Sequence, residues 1–433
     1  IKTRQELEVV IGGFTEGSGS RRGTIGALLV GERGADGALT YLSHVGSGLS
    51  DAMARDLWDR LRSAETDRSP FANPVPDAPA APRWVRPEIT CEVRFAERTE
   101  DGRLRAPVFH GLVEDAVADI PPGPFSQAHG DRTVEEGERR ITLTNLDKPY
   151  WPREGITKGN LLDHYLRVAP VLVPHLEGRP MILKRFPNGI DEDFFFQHSV
   201  NDAPAWLPRA ELSRSGRPDD KLSRYVMVDD PLGLLWLVNL GCIDLNPWQS
   251  RAGAPDEPTH VLFDLDPADG LPFARVVDAA LLVRDALEAV GLRGYPRTSG
   301  ATGMHILVPV VPGLTFDAVR LFARVVSEAL VGARPDLVTT RTRIADRGDR
   351  VYLDANQNGR GKSIASVYSV RPRPGAPVAT PLRWEEVGPG LDPRAFTMGV
   401  AARRVEAEGD LAAGLLDDLQ PLDEAVARLG AGA

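Results

Sequence analysis

One short stretch constrains this chain more than any other: Val261-Leu262-Phe263-Asp264-Leu265-Asp266-Pro267. An apolar run of this length reads as a buried strand. Side chains alternate along a strand, so Asp264 and Asp266 fall on the same face. Two like charges buried there are unfavourable unless a cation sits between them. A divalent ion is the usual answer. A strand ending in a solvated Asp-x-Asp-Pro turn fits the same residues equally well, so the decision falls to the rest of the chain.

A length of 433 residues exceeds one ordinary hydrophobic core, and two or three domains are expected. Hydrophobic content of 42% and charged content of 26% are those of a soluble globular protein. No apolar stretch approaches the roughly 18–20 residues that span a bilayer, so no membrane partner is expected. The start, Ile1-Lys2-Thr3-Arg4, has neither Met nor the apolar core of a signal peptide. The expectation is a segment of a longer product, or a chain whose start is missing. Cys91 and Cys242 stand singly and form no metal-type pair, which suits a reducing compartment, the cytoplasm.

The net charge of −10 argues against a general nucleic-acid coat protein but not against a local basic channel. Residues 339–373 hold eight Lys/Arg against three Asp. Such a run is either a solvated charged face or a phosphate-binding surface.

Residues 1–115 read as mostly β, with strands at Leu7–Phe14, Gly26–Gly31, Leu39–Gly46, Ile89–Phe95 and Leu104–Phe109. One amphipathic helix interrupts them at Asp51–Leu61, with Ser50 as cap and Met53, Leu57 and Leu61 on its apolar face. Short strands with one helix suit a small Greek-key barrel such as an OB-fold. A Pro/Ala-rich connector covers 64–83, and 116–140 reads as the linker to a second domain at 141–433. There, Thr157 caps a helix from Lys158 to about Leu172, stopped by Pro174. Helices at Phe273–Val290 and Phe316–Val331 alternate with strands at Met181–Phe186, His305–Val311 and Arg350–Asp354. That alternation predicts an α/β (α+β) fold.

Three groups fall at strand ends in this domain: Asp264 with Asp266, the loop Thr298-Ser299-Gly300-Ala301-Thr302-Gly303-Met304-His305, and Asp354. Three carboxylates around two divalent ions can bind a triphosphate and activate a 3′-hydroxyl for in-line attack. The Gly-rich loop would offer N–H groups, a hydroxyl and an imidazole to phosphate oxygens. Alone it reads as well as a structural turn, and His305 as a hydrogen-bonded core residue. A calcium loop is excluded by register, because Asp269 and Arg275 stand where Gly and Glu are needed. No P-loop is present.

Two resemblances then emerge. Residues Ile1–Gly17, Trp84-Val85-Arg86-Pro87 and Arg103–Leu112 resemble the OB-fold domain of ATP-dependent DNA ligases, above all that of bacterial end-joining ligase D. By that likeness Lys2 is the remnant of the motif closing the adenylation domain, which this chain lacks. The last ligase motif would fall on Val113-Glu114-Asp115-Ala116, without its two basic residues. Sealing by this chain alone is not expected.

From Ile141 to Leu429 the chain resembles the archaeo-eukaryotic primase superfamily, in particular the polymerase domain of ligase D. The resemblance runs through Thr142–Lys148, Gly155–Lys158, Lys184–Gly189, Phe263–Pro267, Thr298-Ser299-Gly300 and Leu353–Asn358. It implies that Asp264, Asp266 and Asp354 hold two catalytic metals, Mn²⁺ or Mg²⁺. Ser299, His305, Arg347, Gln357, Lys362, Arg371 and Arg373, joined by Lys184, would surround an incoming NTP or dNTP. Lys148 and Lys158 would grip a 5′-phosphate, and Phe195 or Phe196 would stack on a template base. Read without the motif, the lysines are ordinary surface residues and at least one ring of Phe194-Phe195-Phe196 is strand core.

Two positions depart from the family pattern. Relatives often carry Lys in the loop where this chain has Thr302, and His near Asn246. The implied function is a nucleotidyltransferase that fills gaps and extends 3′ ends in bacterial non-homologous end joining, preferring ribonucleotides. Its implied partners are 5′-phosphorylated DNA ends and the Ku end-binding protein. The rivals are a non-catalytic end-bridging module and a ligase half-enzyme that needs a separate adenylation subunit.

Overall fold

The apolar runs near the N-terminus build one antiparallel sheet. In the computed structural model its strands are β1 (Gln5–Glu16), β2 (Ile25–Arg33), β3 (Leu39–Val45), β4 (Glu65–Thr66), β5 (Arg83–Phe95) and β8 (Val108–Val113). Their order is β3-β2-β1-β5-β4, with β8 also on β5. A small hairpin, β6 (Glu97–Arg98) with β7 (Leu104–Arg105), stands beside it. Helix α1 (Asp51–Ser63) turns Leu57 and Leu61 into the core formed by Val9, Ile11, Phe14, Leu28, Val85 and Val93. Full burial of each leucine contributes roughly 1.5–3 kcal/mol.

The structure describes residues 5–431 apart from 18–22, 35–36, 50, 76–80, 100–101, 114–119, 129, 218 and 269. Lys2, the Ser50 cap, Glu114-Asp115-Ala116 and Asp269 therefore lie outside the described residues. The chain divides into two units, 1–115 and 116–433. The first is the β-rich, OB-like unit and the second the α/β unit.

The stretch expected as a linker is largely part of the second unit. Ile120, Phe125 and Ala128 are buried in its core. The backbone N–H groups of Phe125 and Ser126 donate to the buried Asp163 carboxylate at 3.0 and 2.8 Å. Residues 132–136 and 139–143 pair as the hairpin β9 (Arg132–Glu136) and β10 (Arg139–Leu143). Pro and Gly forbid helix there, but apolar side chains between them still find a core.

Strands β11 (Pro149–Trp151) and β12 (Ile156–Thr157) lead into α2 (Lys158–Leu176). Thr157 caps α2 through a capping box with Asn160, as expected, but the helix runs past Pro170 and Pro174 to Leu176. An interior proline costs about 3 kcal/mol in an isolated helix. Burial of Leu161, Leu162, Tyr165, Val168, Leu172 and Leu176 offsets that here. A three-stranded sheet follows, in the order β14 (Phe195–Gln197), β13 (Met181–Arg185), β17 (Cys242–Pro247). The hairpin β15 (Arg209–Leu212) with β16 (Ser223–Val226) and helix α3 (Pro231–Asn239) lie between β14 and β17 in the chain.

After the hairpin β18 (Ser250–Arg251) and β19 (Ala254–Pro258) comes β20 (His260–Pro267), the centre of a five-stranded sheet. Its order is β21 (Tyr295–Thr298), β22 (Met304–Pro309), β20, β24 (Val351–Leu353), β23 (Val338–Thr339). Helices α4 (Phe273–Ala289) and α5 (Phe316–Ala333) cover one face. Val261, Phe263 and Leu265 are buried against Val276, Val283, Leu287, Val319 and Phe322. The alternation rule then sends Asp264 and Asp266 to the opposite face. Helices α6 (Met398–Glu408), α7 (Gly414–Asp417) and α8 (Asp423–Ala431) complete the unit. Among the described residues no helix is long and apolar enough to cross a membrane.

Candidate functional site

Strand register gathers the acidic residues. On β20 and β22, Asp264 stands directly opposite His305, and His305 stands opposite Arg297 on β21. On the other side of β20, the N–H of Asp354 donates to the Asp264 carbonyl at 3.1 Å, while Asp266 pairs with Tyr352. Directly opposed residues share a face. Arg297, His305, Asp264 and Asp354 thus form one row across the sheet.

Each carboxylate has its own partner. His305 Nε2 lies 3.4 Å from Asp264 Oδ1, and Arg297 Nε donates to His305 Nδ1 at 3.1 Å. Arg347 Nη1 donates to Asp266 Oδ2 at 3.0 Å, and its guanidinium lies 3.9 Å from the Tyr352 ring centre. Tyr352 Oη and the Asn356 N–H each donate to Asp354 Oδ1 at 3.0 Å. Among the described residues no three Asp, Glu, His or Cys side chains are drawn together tightly enough to cage a metal ion.

The fields still overlap. Burial, then the charge of Asp264, push the Asp266 carboxyl up; Arg347 opposes them, and Asp354 adds to the rise. Burial holds His305 below the ordinary imidazole range, against the pull of Asp264. Burial and the neighbouring Arg371 bring the Arg297 guanidinium down to about 9. Tyr352 is pushed up to about 12, by burial first and by Asp354 second.

The glycine-rich loop sits beside this row. Ser299 Oγ accepts from the N–H groups of Ala301 (3.2 Å) and Gly303 (3.1 Å), so its own proton can be donated elsewhere. A Cβ on Gly303 would stand 2.3 Å from the Leu265 carbonyl oxygen, so only glycine lets the loop approach β20 this closely. Thr302 is exposed at its tip. Arg371 Nη1 donates to the Ser299 carbonyl at 3.2 Å. Arg371 and Arg373 also act electrostatically on Lys184, with burial as the larger influence lowering that lysine. Lys184 Nζ lies 3.7 Å from the buried Asp244 carboxylate and 4.5 Å from the Phe194 ring centre. Asn246 donates to the Asp244 carbonyl at 3.1 Å. The Gln357 carbonyl accepts from Gln249, while Lys362 and Arg373 are exposed.

A second site, with Lys148 and Lys158 beside Asp131 and Asp147, lies at the start of α2. Gly130, Asp131, Asn145, Asp147 and Lys148 line a concavity. Lys148 Nζ donates to Asn188 Oδ1 at 2.6 Å and Lys158 Nζ to the Thr144 carbonyl at 2.7 Å. Lys158 is no ordinary surface lysine. It is only 3% exposed, and burial and the charge of Lys148 bring it down to about 8.

The Phe triplet corrects the expectation that at least one ring is core. Phe194, Phe195 and Phe196 are 47%, 46% and 58% exposed. Strand β14 is only three residues long, and Phe195 and Phe196, on its two opposite faces, are both left uncovered. The Arg185 guanidinium lies 5.2 Å from the Phe195 ring centre.

Sequence reasoning passed over three residues. Arg297 and Asp244 are buried charges whose partners sit on other strands. Asn358 is fully buried and holds the Leu262 backbone by two 2.8 Å hydrogen bonds. A charged residue inside an apolar strand run was the available signal for the first two.

Known proteins resemble this chain in sequence and fold. A model of the LigD primase-polymerase domain matches residues 157–412, and one of the C-terminal region of ATP-dependent DNA ligases matches 21–116. The multifunctional non-homologous end joining protein LigD of Pseudomonas aeruginosa is 33% identical over 403 residues, 89% of this chain and 47% of its own length. The multifunctional non-homologous end joining DNA repair protein LigD of Mycobacterium tuberculosis (strain H37Rv) is 35% identical over 285 residues, 63% of this chain and 37% of its own. This chain therefore spans less than half the length of either relative. The solved polymerase domain of M. tuberculosis ligase D, in complex with DNA, superposes with a TM-score of 0.61 at 34% identity. It covers 65% of this chain and all of that one. With more than half of its residues matched by the family model and the α/β unit matched in fold, the chain belongs to the LigD primase-polymerase domain family.

Proposed function

We propose that the chain is a metal-dependent nucleotidyltransferase that fills gaps and extends 3′ ends during non-homologous end joining of DNA breaks. The observation that carries this reading is the register of β20, β22 and β24, which aligns Asp264, Asp266 and Asp354 at one sheet face. All-oxygen carboxylate donors suit Mg²⁺ or Mn²⁺. Burial first, then the charges of Asp264 and Asp354, raise the Asp266 carboxyl against the pull of Arg347, and a divalent cation would offset the negative charge in that group. Asp264, Asp266 and Asp354 would hold the ions, with Asp266 exchanging Arg347 and Asp354 exchanging Tyr352. Bound there, divalent ions would neutralise phosphate charge and lower the pKa of a 3′-hydroxyl.

The chain's own residues supply the rest. Arg347, once released from Asp266, would face the triphosphate, together with Lys184, Lys362, Arg371 and Arg373. Ser299 Oγ–H would donate to a phosphate oxygen and Gln357 would border the nucleotide. Lys148 and Lys158 would bind a 5′-phosphate across a gap, and Phe195 or Phe196 would stack on a template base. Ribonucleotide preference, a Ku-type partner and a cytoplasmic location belong to the same proposal. Extension of a primer opposite a 5′-phosphorylated gap, with Mn²⁺ and NTPs, tests it. A chain that binds such gaps tightly but adds no nucleotide would instead be an end-bridging module.

A further inference from the structure

The metal-site reading leaves the buried charge of Arg297 without a task. Arg297 is 2% exposed, on the strand that leads into the Ser299 loop, and among the described residues no carboxylate pairs with it directly. Its Nη2 is buried without a hydrogen-bond partner among the described residues, and its Nε donates to His305 Nδ1 at 3.1 Å. A guanidinium can only donate. Nδ1 is therefore the accepting nitrogen, and the single proton of a neutral imidazole must sit on Nε2. That nitrogen faces Asp264 Oδ1 at 3.4 Å. The three residues occupy one row of the sheet because the registers Arg297↔His305 and Asp264↔His305 coincide.

We propose that Arg297 is a positioning residue: by fixing the His305 tautomer it aims Nε2–H at Asp264 Oδ1 and leaves Oδ2 as the oxygen presented to a metal. The inference rests on the metal reading of Asp264 given above. The opposite tautomer would put two lone pairs, on Nε2 and Oδ1, face to face and turn the carboxylate away. Groups that orient a metal ligand from behind change metal affinity about 10–100-fold when removed.

The side-chain geometry provides a matched pair of variants. In Arg297→Gln the amide nitrogen occupies the chain position of Nε and keeps the donor. In Arg297→Met a methyl group stands there. Mn²⁺ binding by the full chain, read from the free-ion electron paramagnetic resonance signal, needs no catalysis. We expect Arg297→Met to weaken it about tenfold and Arg297→Gln by no more than about twofold. Parent-like binding by Arg297→Met, or equal loss in both variants, would overturn the inference. Asp264→Asn separates the two readings. Mn²⁺ binding that ignores Asp264→Asn overturns the metal site, and the relay with it. Binding that depends on Asp264 but ignores Arg297→Met overturns the relay alone. Should Arg297→Met fail to fold, ¹⁵N shifts of the labelled histidines in the parent decide: a protonated Nε2 on His305 supports the relay, and a protonated Nδ1 refutes it.

Discussion

The backbone N–H of Asp354 donates to the carbonyl of Asp264 at 3.1 Å. Two acidic residues ninety positions apart are thus tied by the sheet itself. Their spacing is set by strand geometry before any ion binds, which is the kind of preorganisation a metal-dependent site needs.

That relationship predicts a severe and local effect of neutralising either residue. Asp264→Ala and Asp354→Ala should each lower Mn²⁺-dependent primer extension by about a hundredfold or more, since a metal supplies several kcal/mol. The melting temperature should hardly change, because both side chains are partly exposed. Primer extension of gapped DNA beside thermal denaturation measures both. Undiminished extension by either variant would remove the carboxylates from the chemistry.

Lys158 titrates near physiological pH, with a pKa of about 8 against an ordinary 10.5. Its charge is present below that value and lost as pH rises through it. Preference for 5′-phosphorylated over 5′-hydroxyl gaps should therefore decline between about pH 7 and 9. In Lys158→Met that slope should flatten. Lys148→Ala with Lys158→Ala should weaken binding of phosphorylated gaps more than of hydroxylated ones, measured by fluorescence anisotropy at fixed salt.

Phe195 and Phe196 on β14 are exposed, and their side chains make only ring contacts, with Arg185, Phe194 and His198, among the described residues. Phe195→Ala and Phe196→Ala should each weaken binding to a primer–template by up to roughly 1–3 kcal/mol where the ring stacks on a base. Urea denaturation midpoints should stay within the scatter of surface substitutions, about 0.5 kcal/mol. A marked loss of stability would mean that the rings are structural after all.

Gly303→Ala tests the close approach of the loop to β20. The added methyl would meet the Leu265 carbonyl at 2.3 Å, backbone that cannot yield without parting the two strands. A loss of about 1–3 kcal/mol in urea denaturation is expected. Primer extension should fall with it, because Leu265 lies between the two acidic residues of β20. A neutral substitution would show that the strands have room to shift.

Much of this architecture was legible in advance because it rests on local rules. The period-2 alternation through Val261–Pro267 placed Asp264 and Asp266 opposite the apolar face, and the helices facing Val261, Phe263 and Leu265 lie within a residue or two of their expected bounds. Where local rules misled, long-range packing had outweighed them. Pro174 reads as a helix stop, yet α2 continues because its neighbours bury it. The Pro/Gly-rich stretch after residue 120 reads as a linker, yet Phe125 and Asp163 anchor it to the α/β unit. The Phe triplet reads as partly core, yet among the described residues no element covers either face of β14 and all three rings are exposed.

The sequence by itself determined the chemical inventory: which carboxylates sit at strand ends, where the glycine-rich loop falls, and which runs carry concentrated positive charge. Those are properties of residue type and spacing along one strand. Only the tertiary structure decided register, because pairing between β21, β22, β20 and β24 depends on how far each strand slides before its apolar face is buried. That sliding put Arg297 behind His305 and His305 behind Asp264. A one-residue slip would have turned each of these side chains to the wrong face.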